Sequence, residues 1–148
     1  MVLAVSTIIF LVFLISCGND EIKYDSWKDT IESFGDGTYQ VFHQIKDGKN
    51  IEILSNVKHN QCTITEIMEY KVVDNIAYFV GKYHSQNVCC ILDPKTNLLR
   101  YYIDKSNNEE FVMIYLNNLL EDKQIELIDS YDDFSDEEKY IFDSLNEK

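Results

Sequence analysis

The chain has 148 residues and a formal net charge of −13 at pH 7, from 26 acidic and 13 basic side chains. A charge of this sign repels polyanions, so the composition argues against nucleic-acid binding and against direct adhesion to anionic lipid headgroups. Aromatic residues make up 13% of the chain, which indicates a packed core rather than disorder. The length is that of one small domain.

The N-terminal segment is the most informative stretch. Val2–Ser16 contains no charged side chain, and Ile8–Ile15 is an unbroken apolar run. As a helix of about 1.5 Å per residue, the first sixteen residues span roughly 24 Å, short of a ~30 Å hydrocarbon core. This length at an N-terminus is typical of an export signal. The alternatives are an uncleaved membrane anchor and a buried N-terminal element. The first residues offer no positive charge beyond the terminal amine, so either the signal is weak or the true start lies upstream.

Residues 14–17 read Leu-Ile-Ser-Cys, which resembles the bacterial lipobox. The resemblance implies that the Cys17 thiol receives a diacylglyceryl group and that a peptidase removes residues 1–16. The mature protein would then be a lipoprotein whose Cys17 carries diacylglyceryl and palmitate groups, held on the extracytoplasmic face of the cell membrane. Two acyl chains give stable anchoring, whereas a single chain binds only marginally. Residues 17–25 would be the lipidated cysteine with an acidic tether, and residues 26–148 one globular domain.

The pattern after the tether predicts a short helix. Ser26 stands in an N-cap position, and Trp27, Ile31 and Phe34 recur at helical spacing. Gly35 follows where a glycine commonly ends a helix.

A β-rich middle follows this helix. Asp47-Gly48 is a strong hairpin signal between two alternating runs. Thr63–Val73 fits either a helical turn or a strand. The other predicted strands show alternation or short apolar runs bounded by turn residues. They are Thr38–Ile45, Ile51–Leu54, Ile76–Tyr83, Val88–Leu92, Leu98–Ile103 and Ile125–Tyr131.

Helical signals return towards the C-terminus. Ser106 and Glu109 form a candidate capping box before a helix over residues 111–120, although the unbroken apolar run Phe111–Leu116 also fits a buried strand. Ser135 begins another capping box before Ile141 and Leu145. We therefore predict an α+β fold in which an antiparallel β-meander sheet of about five to seven strands carries N- and C-terminal helices packed on one side.

Three cysteines follow Cys17. Cys89 and Cys90 are adjacent in a predicted strand and point to opposite faces, so only one of them can face the core. An exported chain meets an oxidising environment, and a disulfide between Cys62 and either of them is open. The alternatives are buried thiols and a redox or metal role. His59 and the acidic tail from Asp129 onward match no compact zinc or calcium pattern, so we expect no metal site.

No catalytic motif is present: the chain lacks a G-x-S-x-G elbow, a phosphate-binding glycine loop and H-E-x-x-H. We therefore expect no cofactor and a non-enzymatic module that binds a peptide, protein or envelope component. Tyr83, Tyr101 and Tyr102 on predicted strands are its candidate contacts.

Two alternatives stay open: an extracytoplasmic hydrolase or thiol enzyme using Cys89 or Cys90, and an immunity or inhibitor lipoprotein whose negative surface meets a cationic partner. Residues 34–39 and Asp74–Gly81 also resemble stretches of small uncharacterised lipoproteins of low-GC Gram-positive bacteria, a likeness that implies no activity.

Overall fold

The computed structural model describes residues 30–106 and 122–147. Within them the chain forms nine strands in two sheets, a short 3₁₀ helix at Tyr131–Asp133 and one α-helix, α1, at Asp136–Asn146. The first sheet contains β1 (Thr30–Phe34), β2 (Tyr39–Lys46), β3 (Lys49–Asn56) and β4 (Gln61–Ile64). The second contains β5 (Glu66–Val73), β6 (Ile76–Tyr83), β7 (Gln86–Asp93), β8 (Leu98–Ile103) and β9 (Ile125–Leu127).

Strand order follows chain order in both sheets, and every neighbouring pair is antiparallel except β8 with β9, which is parallel. Tight turns fix this register. Asp47 and Gly48 have φ values of 52° and 74°, and Asp74 and Asn75 have φ values of 50° and 66°. Positive φ at both central residues is the geometry of the type I′ turn, whose twist suits a hairpin. The hairpin predicted at Asp47-Gly48 is confirmed.

The main core lies between the two sheets. Tyr39, Val41 and Leu54 from the first sheet pack with Phe79, Cys90 and other inward residues of the second. The helix α1 covers the opposite face of the second sheet. There Phe142 is fully buried and packs with Phe134 at a ring distance of 5.0 Å.

The C-terminal helix begins as predicted. Ser135 is its N-cap: its side chain accepts from the Glu138 backbone N–H, and the Glu138 carboxylate accepts from the Ser135 N–H. Glu138 also pairs with Arg100 of β8, so the cap joins the helix to the sheet. Ile141 and Leu145 are buried, as their spacing predicts.

Three details of the predicted fold are wrong. Ile31 and Phe34 lie in strand β1, because pairing with β2 overrides the helical spacing. The described residues form nine strands in two sheets rather than one meander of about five to seven strands, since the chain changes sheet at Thr65 between β4 and β5. The last strand ends at Leu127, because Ser130 caps the 3₁₀ helix. The ambiguous stretch from residue 63 to 73 is extended. The anchor, the tether, the start of the first helix and the helix over residues 111–120 lie outside the described residues.

The sheet change depends on close backbone contact at Gly81 in β6. A Cβ at this position would lie 2.4 Å from the Glu66 carbonyl oxygen and 2.8 Å from Ile64 Cγ2. Real Cβ atoms do not approach backbone atoms so closely, so glycine is required where β6 passes the corner. The first residues of β5 are therefore held directly against β6.

Candidate binding groove

A groove of about 450 Å³ separates β3 from β5. It exists because β4 pairs only with Leu54–Asn56 of β3 before the chain leaves for the second sheet. The earlier half of β3 consequently faces β5 across a gap instead of a hydrogen-bonded neighbour. The lining residues are Asn50, Ile51, Glu52, Glu66, Ile67, Met68, Glu69 and Tyr70.

The lining combines carboxylates with an exposed apolar side chain. Glu52 lies on β3, whereas Glu66 and Glu69 lie on β5, and no basic residue contributes to the lining. In the described part of the chain, no ion pair involves Glu52 or Glu66. Met68 is 56% exposed. A groove of this composition attracts cations and offers an apolar contact beside them.

Tyr70 lines the groove from β5 and contacts other strands of the fold. Its ring stacks on Phe79 at 5.3 Å, and its hydroxyl donates to Glu32 Oε2 of β1 at 2.7 Å. Burial, reinforced by the Glu32 carboxylate, raises the pKa of Tyr70 to about 12. The phenol therefore stays protonated at neutral pH and keeps donating to Glu32. This bond ties β5 to β1 and fixes the groove wall.

The three tyrosines predicted as contacts do not form one surface. Tyr101 is fully buried, and its hydroxyl donates to the Thr63 carbonyl at 2.9 Å, so it cannot contact a partner and that assignment is wrong. Tyr102 is half-buried and packs against Phe134 on the side of the sheet that α1 covers. Tyr83 is half-buried and lines a separate pocket together with Cys62. The alternation of β8 puts neighbouring tyrosines on opposite faces.

The adjacent thiols face opposite sides of β7, as predicted. Cys90 lies in the core between the sheets, and Cys89 lies against the side that carries α1. Burial raises the pKa of Cys89 to about 12 and raises that of Cys90 well above its ordinary value. A thiol held protonated is a poor nucleophile, so neither residue supports the thiol-enzyme alternative. No disulfide joins the described cysteines.

A second pocket, of about 340 Å³, brings together two residues that the sequence singled out. Cys62 and Tyr83 both line it, and the Cys62 thiol donates to the Ile64 carbonyl at 3.2 Å. The Tyr83 ring meets the His84 ring edge-on at 4.7 Å, and burial raises the pKa of Tyr83 to about 12. Gln44, Lys46, Ile53 and Thr65 complete the lining.

The remaining polar cluster is structural. Asp122 is only 6% exposed, and its carboxylate accepts from the Asn56 amide at 3.1 Å and from the Gln124 N–H at 2.9 Å. His59 Nε2 lies 3.8 Å from the same carboxylate. These contacts hold the segment before β9 against the β3–β4 connection. The part of the chain that is described contains no group of three His, Cys, Asp or Glu side chains placed to hold a metal ion.

Comparison with known proteins assigns no family: the chain matches no family model, no curated protein and no solved structure. None of the helices in residues 30–106 and 122–147 is long and apolar enough to cross a membrane.

Sequence reasoning missed the groove, although its residues carried a signal. Glu66, Met68 and Glu69 stand in the stretch whose secondary structure was ambiguous. As a strand, that stretch alternates poorly and leaves an apolar side chain among charges. The sequence pattern does not show that β3 lies opposite this stretch, because the position of β3 relative to β5 depends on the sheet change at Thr65.

Proposed function

We propose that this chain is a non-enzymatic, lipid-anchored module on the extracytoplasmic face of the membrane, and that its acidic groove binds a cationic segment of a peptide or protein. The observation that carries the binding role is the groove between β3 and β5, which Glu52, Glu66 and Glu69 line together with the exposed Met68. The net charge of −13 adds long-range attraction for such a partner.

The binding proposal is tested with a fluorescein-labelled oligolysine peptide and the full-length chain purified in a non-ionic detergent. The double variant Glu52→Gln with Glu66→Gln removes two groove carboxylates. Exposed charge pairs contribute about 0.2–1 kcal/mol each, so the variant, which loses two of them, is expected to bind roughly two- to thirtyfold more weakly. Fluorescence anisotropy measures the change, and raising the salt to about 0.5 M should weaken binding to the unmodified chain because the charges are screened.

A matched control removes the same charge elsewhere. Glu126→Gln with Asp129→Asn lies in and just after β9, at the edge of the second sheet farthest from β5. It should bind the peptide nearly as well as the unmodified chain. Equal weakening in both double variants would refute a role for the groove and leave only net charge.

The anchor is tested separately by the intact mass of the protein from its native membrane, with Cys17→Ala alongside. A mass that lacks residues 1–16 and carries a diacylglyceryl group, lost in the variant, is the expected result. An unmodified full-length mass would refute the lipoprotein proposal and leave the groove proposal standing.

A further inference from the structure

Strand β5 ends the second sheet: among the described strands its only hydrogen-bonded neighbour is β6. The groove runs along the other side of this strand, since five of its eight lining residues are consecutive residues of β5. An edge strand presents backbone donors and acceptors that another chain can pair with. Within residues 30–106 and 122–147, the groove therefore adjoins a backbone edge that no second strand pairs with, as well as carboxylates.

The hairpin geometry identifies which backbone groups point outward. Val73 and Ile76 close the two-residue turn at Asp74-Asn75 and form a hydrogen-bonded pair in such a hairpin. Hydrogen-bonded and non-hydrogen-bonded positions alternate along an antiparallel ladder. Tyr70 and Val72 consequently direct their N–H and C=O groups away from β6. No backbone hydrogen bond joins either residue to another described element.

The surroundings of this edge define what can pair with it. Val72 is 47% exposed and Met68 is 56% exposed, so the edge offers apolar contacts at the surface. Glu52 on β3 and Glu66 on β5 supply negative charge on both sides of the groove. A register shift between Ile67 and Glu69 interrupts the regular ladder there, so regular pairing is limited to the part of β5 that follows.

We propose that the cationic partner binds as an added β-strand, pairing its backbone with Tyr70 and Val72 of β5 while its basic side chains reach the groove carboxylates. This inference rests on the proposed function and specifies its mode: backbone pairing supplies affinity, and charge selects the partner. The expected partner segment is extended, with basic residues alternating with β-branched ones, because strand side chains alternate between two faces.

The test uses a labelled peptide in which lysine alternates with valine and threonine, and a second peptide of the same sequence with N-methyl groups on alternate residues. N-methylation removes the donors of one strand edge and leaves the charge unchanged. If the peptide adds to β5, the methylated form should bind the full-length chain about tenfold more weakly, from the loss of two or more backbone hydrogen bonds.

A variant of the protein tests the backbone pairing between the peptide and β5 by removing a donor from β5 instead of from the peptide. Val72→Pro removes an N–H that points away from β6, a position at which an edge strand tolerates proline. Because it removes a single hydrogen bond, it should lower affinity for the parent peptide roughly two- to tenfold, whereas Val72→Thr, which keeps the N–H, should not. Circular dichroism and the urea midpoint establish that Val72→Pro is folded. If it is not, the two peptides compared on the unmodified chain decide the question.

The outcomes separate this inference from the function on which it rests. Equal binding of both peptides, with Val72→Pro equal to Val72→Thr, overturns strand addition even if the double variant at Glu52 and Glu66 still binds weakly. Unchanged binding in that double variant overturns the cationic groove itself. A dimer of the unmodified chain in sedimentation that Val72→Pro dissociates also overturns the inference, because the occupant of the edge would then be a second copy.

Discussion

Replacing Gly81 with alanine tests the corner at which the chain passes from one sheet to the other. The added Cβ would lie 2.4 Å from the Glu66 carbonyl oxygen and 3.1 Å from the Ile67 Cα, and both neighbours are backbone atoms that cannot rotate away. Overpacking a well-packed interior typically costs about 1–3 kcal/mol. Because the contact here requires the start of β5 to move, we expect a loss near the upper end, about 3 kcal/mol.

Urea denaturation followed by far-ultraviolet circular dichroism measures this loss. With a slope of about 1–3 kcal/mol per molar urea, the midpoint should fall by roughly 1–3 M. The matched control is Gly48→Asn at the β2–β3 turn. No atom lies within 4 Å of a Cβ built there, and asparagine tolerates the positive φ of 74°. Its cost should stay below about 1 kcal/mol.

Gly81→Ala also tests whether the contact between β5 and β6 at Gly81 positions the wall of the groove. Movement of Glu66 and Ile67 changes the wall that β5 contributes, so folded Gly81→Ala should also bind the cationic peptide more weakly than unmodified protein. A stability within about 0.5 kcal/mol of the unmodified chain would refute the tight corner. If Gly81→Ala kept its stability but bound the peptide more weakly, β5 would have moved without a loss in the free energy of unfolding, which would contradict its tight contact with β6.

Three further variants test individual contacts. Tyr101→Phe leaves the buried Thr63 carbonyl without its donor and should lower the free energy of unfolding by about 1–2 kcal/mol in urea titrations; an unchanged midpoint would contradict this. Lys58, hydrogen-bonded to Asp36, lowers the pKa of that carboxyl from 3.8 to about 2. The stabilisation that the ionised Asp36 carboxylate contributes is therefore complete above the pKa of this group in the unfolded chain, and it is lost as pH falls towards 2. The free energy of unfolding of Asp36→Asn should consequently decline less steeply with acid than that of the unmodified chain. With its pKa raised to about 12, the Cys89 thiol should react with iodoacetamide near pH 8 far more slowly in folded than in urea-unfolded protein, and rapid labelling of the folded protein, measured by mass spectrometry, would refute the raised pKa.

Local chemistry made much of this fold predictable. The Asp47-Gly48 turn needs only the two residues that supply positive φ, and the strands Ile76–Tyr83 and Leu98–Ile103 occupy the predicted residues because turn residues bound each apolar run. The last helix follows from the reciprocal cap between Ser135 and Glu138. In each case the interactions that decide the structure lie within a few residues of one another.

The first predicted helix failed for the opposite reason. Ile31 and Phe34 satisfy helical spacing locally, but the backbone of this segment pairs with β2, so tertiary pairing decides. The groove was equally inaccessible from sequence, since it depends on where β4 stops pairing with β3. Local patterns also could not show that Tyr101 would be buried while neighbouring Tyr102 is only half-buried. The sides of a sheet that become core depend on which layers pack against them.

The exposed edge of β5 raises the question of how the protein avoids pairing with itself. Natural proteins protect edge strands with bulges and charges, and β5 has both: a register shift beside Met68 and carboxylates at Glu66 and Glu69. With a net charge of −13 on each chain, two copies repel one another before their edges meet. The same field attracts a cationic strand. In our proposal the charge therefore acts twice, opposing self-association at the edge and favouring the partner that this edge is able to bind.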